Sequence, residues 1–343
     1  MHSTTRTPRR APRALAVAAA ALGLLLGAAA CGSDGHDDAG GAGTPAASSS
    51  TGTSTGFPLT VKDSQGGTTL KAAPKKVVAL TAVDLDAALA ASVVPVLAPS
   101  NPFSADGSYP WLKGKLTAAT QLVPLTTTPP FEKIAALSPD LILDTGDYAP
   151  QDTYGKLSEI APTLAPLASA AADTWQDRQR QIGRALGRSE QSDAAITSAQ
   201  NAVTTEKAEH PGLAGRTFSV TYAADAAQIV TLSSPQDFAV RFLQSLGLKQ
   251  APALTALAKN SNGVGMVSKE KLDLLSADLM LAAYQTPALE KEIGRSPLMA
   301  SAAKGHTLQE VDLTTITLLR NPSTLGLPWV LDQLDPSLAK TAS

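Results

Sequence analysis

The chain of 343 residues has a single cysteine, Cys31. A disulfide within the chain is therefore excluded, and so is a cysteine-rich zinc site. It has four histidines, His2, His36, His210 and His306, far apart along the sequence. Direct capture of a bare metal ion needs several imidazoles or carboxylates converging, and this pattern does not predict it. His210 falls at the end of a long helical stretch, where complementing the helix dipole is role enough. Aromatic residues amount to 4%, so Ala, Leu and Val must fill the core. There is no Gly-x-Ser-x-Gly, no Gly-x-Gly-x-x-Gly after a strand and no P-loop. Gly263-Val264-Gly265 lies in an Asn-rich turn and is too short to count. Without a nucleophile and base constellation, the sequence predicts a protein that is not an enzyme, with no resident cofactor and no metal. Neither sign of charge dominates, the net being −2, and no Lys/Arg stripe is visible, which argues against a nucleic-acid partner.

What is present begins with Arg6, Arg9, Arg10 and Arg13, then the apolar run Ala14 to Gly27, then Ala28-Ala29-Ala30-Cys31. The run is too short for a transmembrane helix of about 20 residues. It ends on small residues, so residues 1–30 read as a secretory signal. A cysteine directly after such a site resembles the bacterial lipobox, although Ala28 stands where Leu is usual. The resemblance implies lipidation of Cys31 and anchoring at the extracytoplasmic face of the cell membrane, since more than one acyl chain holds a protein stably. Residues 31–56 are rich in Gly, Ser and Thr and read as a flexible linker, with His36, Asp37 and Asp38 solvated within it.

From Phe57 the pattern turns globular. Lys76 to Leu80 reads as a buried strand, Asp84 to Ala91 as a helix capped by Asp84, and Val93 to Leu97 as the next strand. That β-α-β order implies a parallel sheet. Residues 189–210 run polar without a turn signal until Pro211-Gly212, with Ala194, Ile196, Ala199, Ala202 and Val203 at near-helical spacing. They predict one long solvated helix between lobes 57–188 and 211–343. Just before it, Arg178, Arg180, Arg184 and Arg188 read as a solvated helix face. Arg216 to Tyr222 then predicts a strand and Phe238 to Leu246 a helix.

An internal repeat ties the halves together. Glu132-Lys133-Ile134 through Ser138-Pro139-Asp140-Leu141-Ile142-Leu143 aligns with Glu270-Lys271-Leu272 through Ser276-Ala277-Asp278-Leu279-Met280-Leu281. Glu, Lys, Leu, Ser, Asp and Leu fall in register. The strand ahead of each copy is spaced alike, Lys76 to Leu80 falling near Arg216 to Val220. Each copy reads as a short amphipathic helix followed by an apolar strand. The fold class is therefore α/β: two similar lobes with parallel sheets, joined by one long backbone helix, with the ligand cleft between them.

The segment Pro129 to Leu143, preceded by Lys75 to Leu80 and followed by the long helix, resembles the substrate-binding proteins of iron-siderophore, haem and vitamin B12 ABC importers. That resemblance covers about Phe57 to Leu334. It implies a monomer that captures a small-molecule iron chelate and hands it to a permease dimer with its ATPase; a ligand-sensing lipoprotein without a transport role is the alternative. It also implies that Glu132 and Glu270, one per lobe, meet arginines of the permease; a first-turn Glu complements a helix N-terminus as well. Ligand-binding candidates are those near strand ends that face the cleft: Phe103, Tyr109, Trp111, Asp147, Tyr148, Tyr222, Tyr284, Arg320 and Asn321. Few cations fall among them, which favours a weakly charged ferric hydroxamate over a catecholate, with haem and cobalamin as the alternatives. Trp175 and Trp329 read as packing residues.

Overall fold

The computed structural model describes residues 56–124, 128–227, 229–260 and 263–343. The signal segment, Cys31 and the linker up to residue 55 lie outside the described residues. Among the described residues, no helix is long and apolar enough to cross a membrane.

The first lobe opens with an antiparallel hairpin, β1 (Leu59–Val61) and β2 (Thr68–Leu70). Its sheet is built from β3 (Val77–Ala79), β4 (Leu97–Pro99), β5 (Gln121–Val123), β6 (Leu141–Leu143) and β7 (Thr163–Leu164). These run wholly parallel in the order β5-β4-β3-β6-β7. Between them lie α1 (Ala82–Ala90), α2 (Phe131–Leu137) and α3 (Tyr154–Ile160). All three residues of β3 and of β6 are fully buried, as expected of strands covered on both faces.

Two helices then lead out of the lobe, α4 (Trp175–Ala185) and the 21-residue α5 (Ser189–Glu209). At 1.5 Å per residue α5 spans roughly 30 Å. Its buried positions Ser192, Ile196, Ala199 and Glu206 make one stripe, which packs on α4 and α1 and further along on the last helix of the chain. Gly183 permits the close α4–α5 approach, because a Cβ there would fall 2.1 Å from the Ser192 hydroxyl oxygen.

The second lobe contains β8 (Thr217–Ala223), β9 (Ile229–Leu232), α6 (Phe238–Ser245), β10 (Lys249–Gln250), α7 (Pro252–Thr255) and β11 (Val264–Val267). It continues through β12 (Leu279–Tyr284), α8 (Pro287–Leu289), α9 (Pro297–Ala302), β13 (Thr307–Glu310), α10 (Leu313–Arg320) and α11 (Gly326–Ala342). Its strands order as β11-β9-β8-β12-β13. β10, β8, β12 and β13 are parallel, and β9 and β11 add an antiparallel edge.

The repeat has a physical basis. In each copy the aspartate after the helix accepts hydrogen bonds from the strand ahead and so fixes its entry. Asp140 accepts from the backbone N–H groups of Lys75 (2.8 Å) and Lys76 (2.9 Å). Asp278 accepts from the N–H and hydroxyl of Thr217, both at 2.7 Å. Ladder partners shift the expected strand alignment by one residue, for Val77 pairs Leu141 while Phe218 pairs Leu279.

Other boundaries differ for readable reasons. Helix α1 starts earlier than expected, at Ala82, because Thr81 rather than Asp84 is the cap. The Thr81 hydroxyl accepts from the Asp84 N–H (3.3 Å) and Asp84 accepts from the Thr81 N–H (3.2 Å), a reciprocal capping box. Strand β4 begins at Leu97 and not Val93, since Ser92 has a left-handed turn (φ 62°) and Pro95 has no N–H for a ladder. The second copy of the repeat helix, Lys269–Leu275, is a pair of 3-10 turns broken at Lys271. Leu272 and Leu275, both buried, sit three apart, the spacing that a three-residue turn places on one side. Arg178 is not solvated like Arg180, Arg184 and Arg188; it is buried, its guanidinium donating to the Ala170 carbonyl (3.4 Å).

Candidate functional site

Two cavities are lined from both lobes: by α1 and the loops after β4 and β6 of the first, where α/β sheets bind ligands, and by α10, the loop after it and the segment between β9 and α6 of the second. From the first lobe, the loop after β4 carries Asn101 to Trp111. Buried Asn101 holds that loop in shape, accepting from the Phe103 N–H (3.1 Å) and donating to the Ser108 carbonyl (3.0 Å). Its amide also donates across the cleft to the Thr314 hydroxyl of α10 (3.2 Å). Beside it lies a cavity of about 200 Å³, walled by Val83, Phe103, Tyr109 and Trp111 on one side and Thr317 and Leu318 on the other. Phe103 is exposed, whereas Tyr109 is buried and tilted against Trp111 with ring centroids 5.3 Å apart. Trp111 stacks in turn on Trp329 of α11 at 5.5 Å, so the aromatic wall crosses from lobe to lobe. Burial pushes the Tyr109 hydroxyl well above its ordinary pKa, so it stays protonated.

A second cavity, of about 680 Å³, lies next to the first and shares Asn321 with it. It is lined by Tyr148 from the first lobe and by Ser234, Gln236, Asp237, Phe238 and Arg320 from the second. The Tyr148 hydroxyl donates to the Asn321 side-chain oxygen across the mouth at 2.9 Å. Arg320 at the end of α10 donates to Asp237 at 3.1 Å, and Asp237 also caps α6 by accepting from the Ala239 N–H at 2.9 Å. The cation is thus held at a fixed place with part of its surface open to the cavity.

A third cavity, of about 420 Å³, sits at the ends of β3 to β6 and includes Asp144, Asp147 and Tyr148. Asp147 accepts from the Ala149 N–H (2.9 Å) and the Thr153 hydroxyl (3.3 Å), so its carboxylate shapes the loop. Burial pushes Asp144 up to about 8, helped by the Asp84 and Asp147 carboxylates. One of its oxygens has no hydrogen-bond partner. Burial thus favours the acid form of Asp144 at the edge of this cavity.

Of the candidates, the structure brings Phe103, Tyr109, Trp111, Asp147, Tyr148, Arg320 and Asn321 to these three cavities. Tyr222 and Tyr284 line none of them. Tyr222 is half-buried against the second-lobe core, with its hydroxyl donating to Gln285. Tyr284 turns into the lobe, its hydroxyl packed against Gly294, and burial raises it to about 12. Glu132 and Glu270 line none of the three cavities and are both exposed, each in the first turn of its repeat element. Glu270 is held below the usual carboxylate range by its own backbone N–H and the Ser268 hydroxyl, so it stays anionic.

Sequence reasoning missed Asn101, Asp144 and, above all, Asp86. Asp86 is fully buried in α1 and accepts from Trp111 Nε1 (2.9 Å), the Ser323 hydroxyl (2.7 Å) and the Leu325 N–H (2.9 Å). Nearby, Thr324 donates to the Gln179 carbonyl oxygen at 2.7 Å. The loop between α10 and α11 is clasped to the first lobe by these bonds. The signal available in the sequence was Asp84-Leu85-Asp86, two acids inside an otherwise apolar helix.

A model of the periplasmic binding protein family matches residues 77–305. The chain belongs to that family. It is 27% identical over 271 residues to the Fe(3+) dicitrate-binding periplasmic protein FecB of Escherichia coli, covering 77% of this chain and 85% of that protein. It is 29% identical over 227 residues to the probable siderophore-binding lipoprotein YfiY of Bacillus subtilis, covering 64% of this chain and 67% of the relative. Among solved structures, a periplasmic solute binding protein from Mycobacterium smegmatis superposes with a TM-score of 0.71 at 27% identity, covering 83% of this chain and 99% of that one.

Proposed function

We propose that this protein is a lipid-anchored extracytoplasmic solute-binding protein that captures a ferric chelate and delivers it to an ABC importer permease. The observation that carries the reading is the cleft itself. An apolar aromatic slot of about 200 Å³ adjoins a polar compartment of about 680 Å³ with Arg320 and Tyr148 at its edge. Apolar walls suit the carbon skeleton of a chelate, while fixed donors suit its oxygen-rich coordination shell. The names of FecB and YfiY, ferric citrate and siderophore binding, point the same way. The accessible cation, Arg320, already faces Asp237, which favours a weakly charged complex such as a ferric hydroxamate. Cys31 serves as the lipidation site in this reading, as the lipoprotein name of YfiY supports.

Catalysis has no part in it. Glu132 and Glu270 present one exposed carboxylate on each lobe for arginines of the permease, setting docking orientation and on-rate. Tryptophan fluorescence of the full chain, titrated with ferrioxamine, ferrichrome, ferric citrate, a ferric catecholate, haem and cobalamin, tests the ligand class. Trp111 in the cavity wall makes quenching by a hydroxamate complex the expected result. No response to any iron complex would overturn the reading. The double variant Glu132→Ala/Glu270→Ala should bind the same ligand normally and fail to support uptake.

A further inference from the structure

We propose that Glu206, His210 and Asp335 form a binding site for a divalent cation of the Zn²⁺ type at the C-terminal end of the inter-lobe helix. Glu206 and His210 are one turn apart on α5, and Asp335 reaches them from α11, which packs on α5. His210 Nε2 lies 3.3 Å from Glu206 Oε1 and 2.8 Å from Asp335 Oδ1, and the three atoms all fall within 4.8 Å of one another. In a tetrahedral zinc site with bonds of about 2.0–2.2 Å, ligand atoms sit roughly 3.3 Å apart. Small side-chain rotations bring this trio to that geometry.

A second observation points to a cation as ligand. Glu206 is buried, with 9% of its surface exposed, and its Oε1 accepts no hydrogen bond, having only the 3.3 Å ion-pair contact with His210 Nε2. The ring N–H of His210 serves Asp335 instead. A buried carboxylate oxygen without a donor is costly in a folded protein. The surroundings worsen this, since Asp335, Glu209 and Asp332 all add negative charge near Glu206, which His210 partly offsets. Burial and those neighbours raise the pKa of Glu206. A metal at the centroid would satisfy Oε1 and neutralise the cluster, using one imidazole nitrogen and two carboxylate oxygens. That donor set suits zinc better than Mg²⁺ or Ca²⁺, which take oxygen ligands in larger shells. Asp335 is half-exposed, so water has access to a fourth position. The ion would cross-link α5 to α11, outside the ligand cleft, in place of the dipole role that the sequence suggests for His210.

The test is zinc titration of the full chain after chelator treatment, followed by calorimetry and thermal unfolding. The expected result is one Zn²⁺ bound per chain, a higher Tm with Zn²⁺, and no such rise with Mg²⁺. Outer-shell changes already cost about 10–100-fold in metal affinity, so His210→Ala and Asp335→Asn should each cost more than that. Asp335→Asn changes a half-exposed position and keeps the fold measurable should His210→Ala be unstable. Absence of saturable zinc binding by the unaltered chain would overturn the proposal. So would zinc binding that survives in Asp335→Asn with unchanged affinity, because the ion would then sit elsewhere.

Discussion

Replacing Asp86 with Asn separates what this buried acid contributes as an acceptor from what it costs as a charge. Burial raises its pKa to about 6 from 3.8, against the opposing effects of the Leu325 N–H, Ser323, Trp111 and the Gly326 N–H. The folded chain therefore holds this proton more tightly than the unfolded one. Stability from the group is full below the unfolded value and is lost as pH rises through about 6. A shift of about 2 units corresponds to about 3 kcal/mol lost between roughly pH 4 and pH 8. Asn cannot ionise, so the variant lacks that loss. It has its own defect, because an amide N–H₂ in place of one oxygen leaves a donor facing a donor at Trp111 Nε1. An orphaned buried donor costs about 1–3 kcal/mol. Asp86→Asn should thus be less stable than the parent by about 1–3 kcal/mol near pH 4, and equal to it or more stable near pH 8. Urea unfolding followed by circular dichroism at the two pH values measures the difference. Asp144 and Asp84 also titrate with raised values, but they are present in both proteins and cancel in the comparison. A difference in stability that is the same at both pH values would refute the reasoning.

Other outcomes are as specific. Asp278→Ala removes two charge-assisted hydrogen bonds to Thr217 and should cost about 2–4 kcal/mol, read as a lower urea midpoint. Asp140→Ala, which frees two N–H groups at an exposed edge, should cost less, because water replaces the lost acceptor. Asp140 is held below its ordinary pKa mainly by the Lys76 and Lys75 N–H groups, so its contribution is present at neutral pH and disappears as pH falls through that depressed value. Arg320→Ala should leave the fold intact, since Asp237 still caps α6, and should weaken chelate binding in the fluorescence titration by about 10-fold or more. Unchanged affinity would remove Arg320 from the ligand site.

The α/β architecture was legible because it rests on local chemistry. A strand buried on both faces is apolar throughout, as at Val77 to Ala79, and a long polar stretch without turn residues, as at residues 189–209, has little choice but helix. The repeat was legible because its aspartate performs the same pinning task in both lobes. The site was legible at the level of loops. A strand end alone does not place a residue at a cavity, for Tyr284 at the end of β12 packs onto Gly294 and lines none of them. The buried charges were the least legible. Asp86 takes its role from Ser323 and Leu325, more than 200 residues away, and Arg178 from the Ala170 carbonyl and the Asp84 charge near it. A charged residue reads as solvated until its distant partner is known.

How the cleft opens follows from the unequal strength of its two bridges. On the inside, the lobes are joined by the Asp86 clasp, by the Thr324 to Gln179 bond, by Asn101 to Thr314 and by the Trp111–Trp329 stack. These groups are buried or partly buried, and breaking the bonds of Asp86 would strand a carboxylate away from water. Wide separation of the lobes is therefore costly, beyond whatever stiffness α5 supplies. At the mouth, the Tyr148 to Asn321 bond joins the lobes through a tyrosine that is 66% exposed. Water competes for such a bond, so its net worth is about 0.5–1.5 kcal/mol at most. A ligand that offers its own oxygens to Tyr148 and Asn321 replaces that bridge at almost no cost. If a chelate binds as proposed, its entry would call for rearrangement of two side chains at the rim, while the clasp beneath would hold the lobes, and with them Glu132 and Glu270, close to their present separation.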